Sequence, residues 1–105
     1  GLTIRNGTED SDGAGARCFA GTITNCVFRD NYADNDGGGV YAAGPVHIVD
    51  CTFVRNEAGR HGGGVFMQTA RVERCMIDRN ESGNDGGGVY LEYLGHVRGP
   101  VIRNN

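Results

Sequence analysis

The stretch Gly37-Gly38-Gly39-Val40 occurs three times in this chain. It returns as Gly62-Gly63-Gly64-Val65 and as Gly86-Gly87-Gly88-Val89, at spacings of 25 and 24 residues. A fixed period of this length is typical of solenoids, in which each repeat is one structural unit that packs against the next. The recurrence therefore predicts a stack of similar coils.

Other residue types keep the same two spacings and extend the period to both ends. Leu2–Gly7 and Pro100–Asn105 fit the register in weaker form. The period makes residues 1–105 a single domain with repeats 1–12 (partial), 13–36, 37–61, 62–85 and 86–105. The recurring positions are the cysteines Cys26, Cys51 and Cys75, the apolar residues Phe28, Phe53 and Ile77, and the asparagines Asn31, Asn56, Asn80 and Asn105.

Apolar residues alternate within each repeat, as they do in strands, and no stretch has the spacing of a helix. Each repeat is interpreted as three short strands separated by turns. Three such strands cannot bury both faces alone, but they can when coils stack in parallel at ~4.8 Å. We expect an all-β fold, a single-stranded parallel β-helix of about four coils of 24–25 residues. Its core would be ladders of cysteine, of valine and of phenylalanine with isoleucine.

Composition narrows the class of protein. The chain has 105 residues, 19 of them glycine, and a net charge of −3. So much glycine leaves few large side chains for a conventional core, so we expect a repetitive rod and not a compact enzyme domain. There is no basic run that would favour nucleic acid, and no apolar run of the ~20 residues that span a membrane.

The two recurring motifs resemble those of right-handed β-helix repeats in bacterial surface and secreted proteins, above all the autotransporter passenger domains of the polymorphic outer-membrane type. Their GGA(I/V)-like motif matches Gly37–Val40, Gly62–Val65 and Gly86–Val89. Their FxxN motif matches Phe28–Asn31 and Phe53–Asn56, with isoleucine first in the later copies. The resemblance implies a right-handed helix, an extracellular or cell-surface location, and a structural, adhesive or carbohydrate-active role.

The asparagines suit a structural role, because asparagine tolerates left-handed backbone and bonds neighbouring peptide groups. The glycines would supply unusual dihedral angles at a tight corner. The cysteines point inward and are interpreted as buried free thiols, with a Cys26–Cys51 disulfide as the alternative. Zinc is not expected, since ligands stacked along one wall do not converge on a tetrahedral site.

In register, Asp12, Asp36, His61 and Asp85 would form a column on the outside of the turns. A solvated acidic turn is the preferred interpretation, and a calcium ion on the three aspartates is the alternative. We expect no required cofactor.

Tyr41, Phe66 and Tyr90, with Arg17, would form an exposed ladder on the outer face of the first strand. Aromatic rings on a flat face either bind sugar rings or bury one another. The outward positions of the second strand are Thr22, His47, Arg71 and His96, which would add polar contacts.

The sequence favours a structural or adhesive solenoid over an enzyme. Carboxylates lie near arginines only at scattered places, such as Asp30 with Arg55, and no long loop would build a cleft. Both ends continue as ordinary strands, without a capping segment. The expected partners are therefore adjoining coils of a longer chain, or further copies stacked end to end into a filament, and glycans for a carbohydrate-binding or carbohydrate-active alternative.

Overall fold

The computed structural model describes residues 2–5, 7–9, 12–92, 96–98 and 101–103. This part of the chain contains no helix, and so none long and apolar enough to cross a bilayer. Its strands, in chain order, are β1 (Leu2–Arg5), β2 (Thr8–Glu9), β3 (Ala16–Cys18), β4 (Gly21–Thr24), β5 (Cys26–Arg29), β6 (Tyr32–Ala33), β7 (Val40–Ala42), β8 (Val46–Val49), β9 (Thr52–Val54), β10 (Glu57–Ala58), β11 (Val65–Met67), β12 (Arg71–Glu73), β13 (Met76–Asp78), β14 (Glu81–Ser82), β15 (Val89–Leu91), β16 (His96–Arg98) and β17 (Val101–Arg103).

These strands pair in parallel and form four sheets. The strands that follow the glycines form the first sheet, β15-β11-β7-β3, and the next strands form the second, β16-β12-β8-β4. The third sheet is β1-β5-β9-β13-β17, and the fourth is β14-β10-β6-β2. Because neighbours in each sheet are one repeat apart in the sequence, the chain is a parallel β-helix, and the predicted fold class is confirmed.

The register of the coils is the one that the period predicts. Phe28 pairs with Ile4 and Phe53, and Phe53 pairs in turn with Ile77. The rings of Phe28 and Phe53 stack with their centroids 5.0 Å apart. The buried cluster along the axis consists of Phe28, Val40, Ala42, Val46, Ile48, Cys51, Phe53, Val65, Met67, Ala70, Val72, Cys75 and Ile77.

The fourth sheet was not predicted. Each of its strands has two residues and lies in a segment that the sequence pattern assigns to a polar turn. Ala33 and Ala58 point inward there and are 0% and 1% exposed. A strand of two residues is too short to show alternation, so the pattern of apolar residues gave no signal for it.

The corners of each coil use left-handed backbone, but not at Asn31, Asn56 or Asn80. The first glycine of each run has a positive φ, for example +71° at Gly37 and +66° at Gly62. At the end of the third-sheet strands the left-handed residue comes one position before the asparagine, at Asp30, Arg55 and Arg79. The expectation of left-handed asparagines is therefore wrong: the preceding residue turns the chain, and the asparagine side chain is aimed at the neighbouring coil.

The chain alone is not a rod. Its principal extents are 27 × 25 × 23 Å. Four coils at a rise of ~4.8 Å add up to ~20 Å, which is no more than the width of a coil. An elongated shape requires further coils at its ends.

Candidate functional site

The asparagines that follow the strands of the third sheet form a hydrogen-bonded ladder through the coils. Oδ1 of Asn56 accepts the backbone N–H of Asn31 at 3.2 Å and the side-chain amide of Asn31 at 2.9 Å. Oδ1 of Asn80 accepts the same two groups of Asn56, both at 2.9 Å. Nδ2 of Asn56 also donates to the carbonyl of Phe28, and Nδ2 of Asn80 to that of Phe53, each at 2.9 Å. The asparagine side chains therefore bond both neighbouring peptide groups and one another.

Gly7 occupies the asparagine position of the first repeat. Its N–H donates to Oδ1 of Asn31 at 2.8 Å, as the asparagines of later coils do to theirs. A Cβ at Gly7 would overlap the carbonyl oxygen of Ala14, so no side chain fits at this position. The ladder of side chains therefore starts at Asn31. The fourth predicted member, Asn105, lies outside the described residues.

Three cysteines form a second inward column. Cys51 and Cys75 are each 2% exposed, and Cys26 is half-buried and packs against the core. All three thiols are free. Each donates a hydrogen bond to the backbone carbonyl oxygen two residues earlier, with sulfur–oxygen distances of 3.2 Å for Cys26, 3.3 Å for Cys51 and 3.2 Å for Cys75. The side chains thus repeat one conformation from coil to coil.

The column of aspartates ties coils together through the backbone. Oδ1 of Asp12 accepts the N–H of Asp36, and Oδ1 of Asp36 accepts the N–H of His61, both at 3.1 Å. Asp36 is only 7% exposed, so the expectation of a fully solvated turn is wrong there. Burial raises the pKa of the Asp36 carboxyl above its ordinary value. His61 separates Asp36 from Asp85, and residues 12–92 contain no group of three His, Cys, Asp or Glu side chains that could hold a metal.

The aromatic ladder exists, but its middle ring is covered. Tyr41 stacks on Phe66 at 4.9 Å between ring centroids, and Phe66 stacks on Tyr90 at 5.3 Å. Phe66 is only 2% exposed because a ring packs against each of its faces, so the expectation of an exposed ladder is wrong at this position. Tyr41 and Tyr90 are half-buried. The guanidinium of Arg17 lies 5.8 Å from the Tyr41 ring, which is within cation–π range.

Glu73 is a carboxylate that the sequence pattern did not single out. Its Oε1 lies 3.5 Å from Nε2 of His47 and 3.7 Å from Nε of Arg71, and its Oε2 lies 3.7 Å from Nη1 of Arg74. The available signal was its position two residues after Arg71, which puts both side chains on one face of the second sheet. Beside this cluster is an open pocket of about 220 Å³, lined by Pro45, Val46, His47, Thr69, Ala70 and Arg71.

Two ion pairs join corners of successive coils. Arg55 donates to both carboxylate oxygens of Asp30, at 2.9 and 3.4 Å, and Arg74 donates to both oxygens of Asp50, at 2.9 and 3.3 Å. The hydrogen bond from Arg55 holds the pKa of Asp30 below its ordinary value, and the bond from Arg74 does the same for Asp50. Both carboxylates stay ionised and paired near neutral pH.

The family described as the right-handed β-helix region matches residues 2–105. No curated protein and no solved structure matches the chain. Most of these polar side chains bond groups of a neighbouring coil, which is a structural use of their chemistry.

Replacing Asn56 by alanine should destabilise the fold strongly. The change leaves three buried groups without their partner: the N–H of Asn31, its side-chain amide and the carbonyl of Phe28. At ~1–3 kcal/mol for each buried unpaired group, we expect the free energy of unfolding to fall by at least ~3 kcal/mol. Urea unfolding of the purified chain measures this. The control, exposed Asn84→Ala, should change stability by less than ~0.5 kcal/mol, and equal losses in the two variants would contradict the ladder.

Acid should weaken the fold through Asp30 and Asp50. Their pKa values are lower in the folded chain than the ordinary value of 3.8. Their stabilisation is therefore present above that value and is lost as the pH falls through the folded pKa. Asp36 acts in the opposite sense because its folded pKa is raised. As the pH is lowered below about 4, the urea midpoint of the double variant Asp30→Asn/Asp50→Asn should fall less steeply with pH than that of the exposed control Asp34→Asn. Equal slopes would contradict this assignment.

Proposed function

The chain belongs to the right-handed β-helix family, and from this premise we propose that it is a structural segment of a longer solenoid on the bacterial cell exterior. The continuity of the coil-to-coil bonds is the observation that carries this proposal. The third sheet runs through all five repeats, from β1 to β17, without interruption. The exterior location is supported by the resemblance of the glycine and FxxN motifs to surface passenger domains.

The asparagine ladder is continued better by adjoining coils of the same, longer chain than by identical copies of this chain stacked end to end. In the ladder, the N–H of each asparagine needs Oδ1 from the next coil along. A second copy stacked on the C-terminal side would present Gly7 at that position, and Gly7 has no side chain. The ladder would be broken at every junction between copies, whereas a coil with asparagine there would continue it.

A role without catalysis is supported by the state of the two carboxylates that form paired hydrogen bonds with arginine. Asp30 and Asp50, which lie nearest to arginines, are each held by two hydrogen bonds from one arginine. A general acid needs a pKa raised towards neutral pH, but these two are lowered.

The state of association tests the choice between adjoining coils and stacked copies. We expect the purified chain to sediment as a monomer of 11.2 kDa, at a value independent of concentration, because junctions between copies leave asparagine groups unpaired. Analytical ultracentrifugation measures this, and negative-stain electron microscopy is the cross-check. Unbranched filaments with a rise of ~20 Å per copy would contradict this choice and support end-to-end stacking.

Carbohydrate binding is the second candidate, and the partly exposed rings of Tyr41 and Tyr90 favour it. The two rings lie on either side of buried Phe66 in one stack, so each keeps a fixed orientation. Arg17 lies over the Tyr41 ring and would add hydrogen-bond donors for sugar hydroxyls. Fixed rings of this kind bind the apolar face of a sugar at low entropic cost.

A glycan array tests the second candidate. Tyr41→Ala and Tyr90→Ala should each weaken binding of any glycan that the chain retains by about tenfold, which corresponds to ~1.4 kcal/mol. The matched control is Tyr32→Ala, which removes a tyrosine that is 39% exposed on the fourth sheet and should leave binding unchanged. Carbohydrate binding is excluded if the unaltered chain retains no glycan, or if the control loses as much as the other two variants.

A further inference from the structure

The strands of the second sheet do not all begin to pair at the same point. β4 and β8 pair from Gly21 and Val46 onward, whereas β8 and β12 pair only from His47 and Arg71 onward. An open pocket of about 220 Å³ lies at this late start, and it is lined by Pro45, Val46, His47, Thr69, Ala70 and Arg71. This volume is below the ~300–1,000 Å³ of pockets for drug-sized ligands. The pocket therefore suits a small molecule.

The side chains that a ligand meets in this pocket are mostly polar. Val46 and Ala70 are 2% and 1% exposed, because their side chains belong to the core. Thr69 and Arg71 are exposed, and His47 is half-buried. A ligand with hydrogen-bonding groups is therefore favoured over an apolar one.

Glu73 lies beside two of these side chains and does not use up their donors. Its Oε1 is 3.5 Å from Nε2 of His47 and 3.7 Å from Nε of Arg71, beyond the ~2.7–3.2 Å of an N–H···O hydrogen bond. Nε2 is the covered nitrogen of the His47 ring and has no hydrogen-bond partner within the described part of the chain. Nδ1 is therefore the ring nitrogen that a ligand can reach.

The charge of the second sheet favours an anion. Its strands contain Arg71 and Arg98 against the carboxylate of Glu73, which leaves one positive charge when the histidines are neutral. The whole chain carries a net charge of −3, so the sheet has the opposite sign. Arg74 follows the sheet and is already bonded to Asp50. Arg71 is thus the arginine that the pocket offers to a ligand.

We propose that this pocket binds a small hydroxy acid of the lactate type. The planar guanidinium of Arg71 matches the two oxygens of a carboxylate, and the hydroxyl of Thr69 donates to the same group. The hydroxyl of the ligand bonds Nδ1 of His47, which can donate or accept. The single negative charge of the ligand balances the charge of the sheet. This site lies on the second sheet and not on the aromatic stack of the first, so its test is independent of the glycan array.

Titration of the isotope-labelled chain with lactate, followed by NMR, tests this site. We expect a dissociation constant of ~1 mM, with shifts confined to amides around the pocket, such as those of His47 and Arg71. Propionate lacks the hydroxyl and should bind about fivefold more weakly, which is the loss of one neutral hydrogen bond. Lactamide lacks the charge and should cause no saturable shifts.

Two substitutions separate the carboxylate from the hydroxyl of the ligand. Arg71→Gln should weaken lactate and propionate alike by at least ~tenfold, because both lose a charge-assisted hydrogen bond. His47→Ala should weaken lactate to the level of propionate and leave propionate unchanged. The matched control is Arg60→Gln, whose side chain is 54% exposed against 57% for Arg71 and does not line the pocket. This control should bind lactate as the unaltered chain does.

The proposal is overturned if lactate causes no saturable shifts, if lactate and propionate bind equally well, or if Arg60→Gln loses as much affinity as Arg71→Gln. Glucuronate distinguishes a free small acid from the acid group of a sugar, and tighter binding of glucuronate than of lactate would also overturn it. The ligand comparisons use the unaltered chain, so they decide the matter even where a variant fails to fold.

Discussion

The asparagine side chain that follows each strand of the third sheet replaces a hydrogen-bond partner that the backbone loses where the chain turns. Oδ1 of Asn56 receives two donors from the coil before it, and Nδ2 of Asn56 reaches the carbonyl of Phe28 in that coil. Asn56 is 1% exposed and Asn80 is 0% exposed, so water does not compete for these bonds. The coils can turn sharply and still stack because the asparagine column supplies hydrogen-bond partners to the backbone groups at the corner. The parallel sheets on either side of the corner depend on these bonds.

The aspartate column also links successive coils, but its carboxylates accept hydrogen bonds from the opposite side. Asn56 in one coil accepts an N–H from the coil before it, whereas Asp36 accepts an N–H from the coil after it. Glycine allows the close approach that both columns require: a Cβ on Gly39 would lie 2.9 Å from the Phe53 ring and closer still to the carbonyl oxygen of Gly64. Polar columns and glycines therefore hold the coils together at places where large apolar side chains would not fit.

The period was enough to predict the register, because a repeat fixes which residues meet when coils stack. Phe28 over Phe53 and Asn31 over Asn56 follow from their spacing alone. Burial was harder to predict, because an outward-pointing residue can still be covered by its own column, as Phe66 is. The short fourth sheet, the hydrogen bond that Asp36 accepts from the N–H of His61 and the contacts of Glu73 depend on local geometry that alternation does not encode.

Hydrogen exchange at the backbone amides of Asn31 and Asn56 reports on the ladder itself, since their acceptors are side-chain oxygens of the next coil, at 3.2 and 2.9 Å. These two amides have no protection unless the ladder forms. If the ladder holds the coils together, NMR will show that these amides exchange as slowly as the strand amides of the core, such as that of Phe53. Exchange as fast as that of exposed turn amides would contradict the claim that the asparagine ladder holds the coils together.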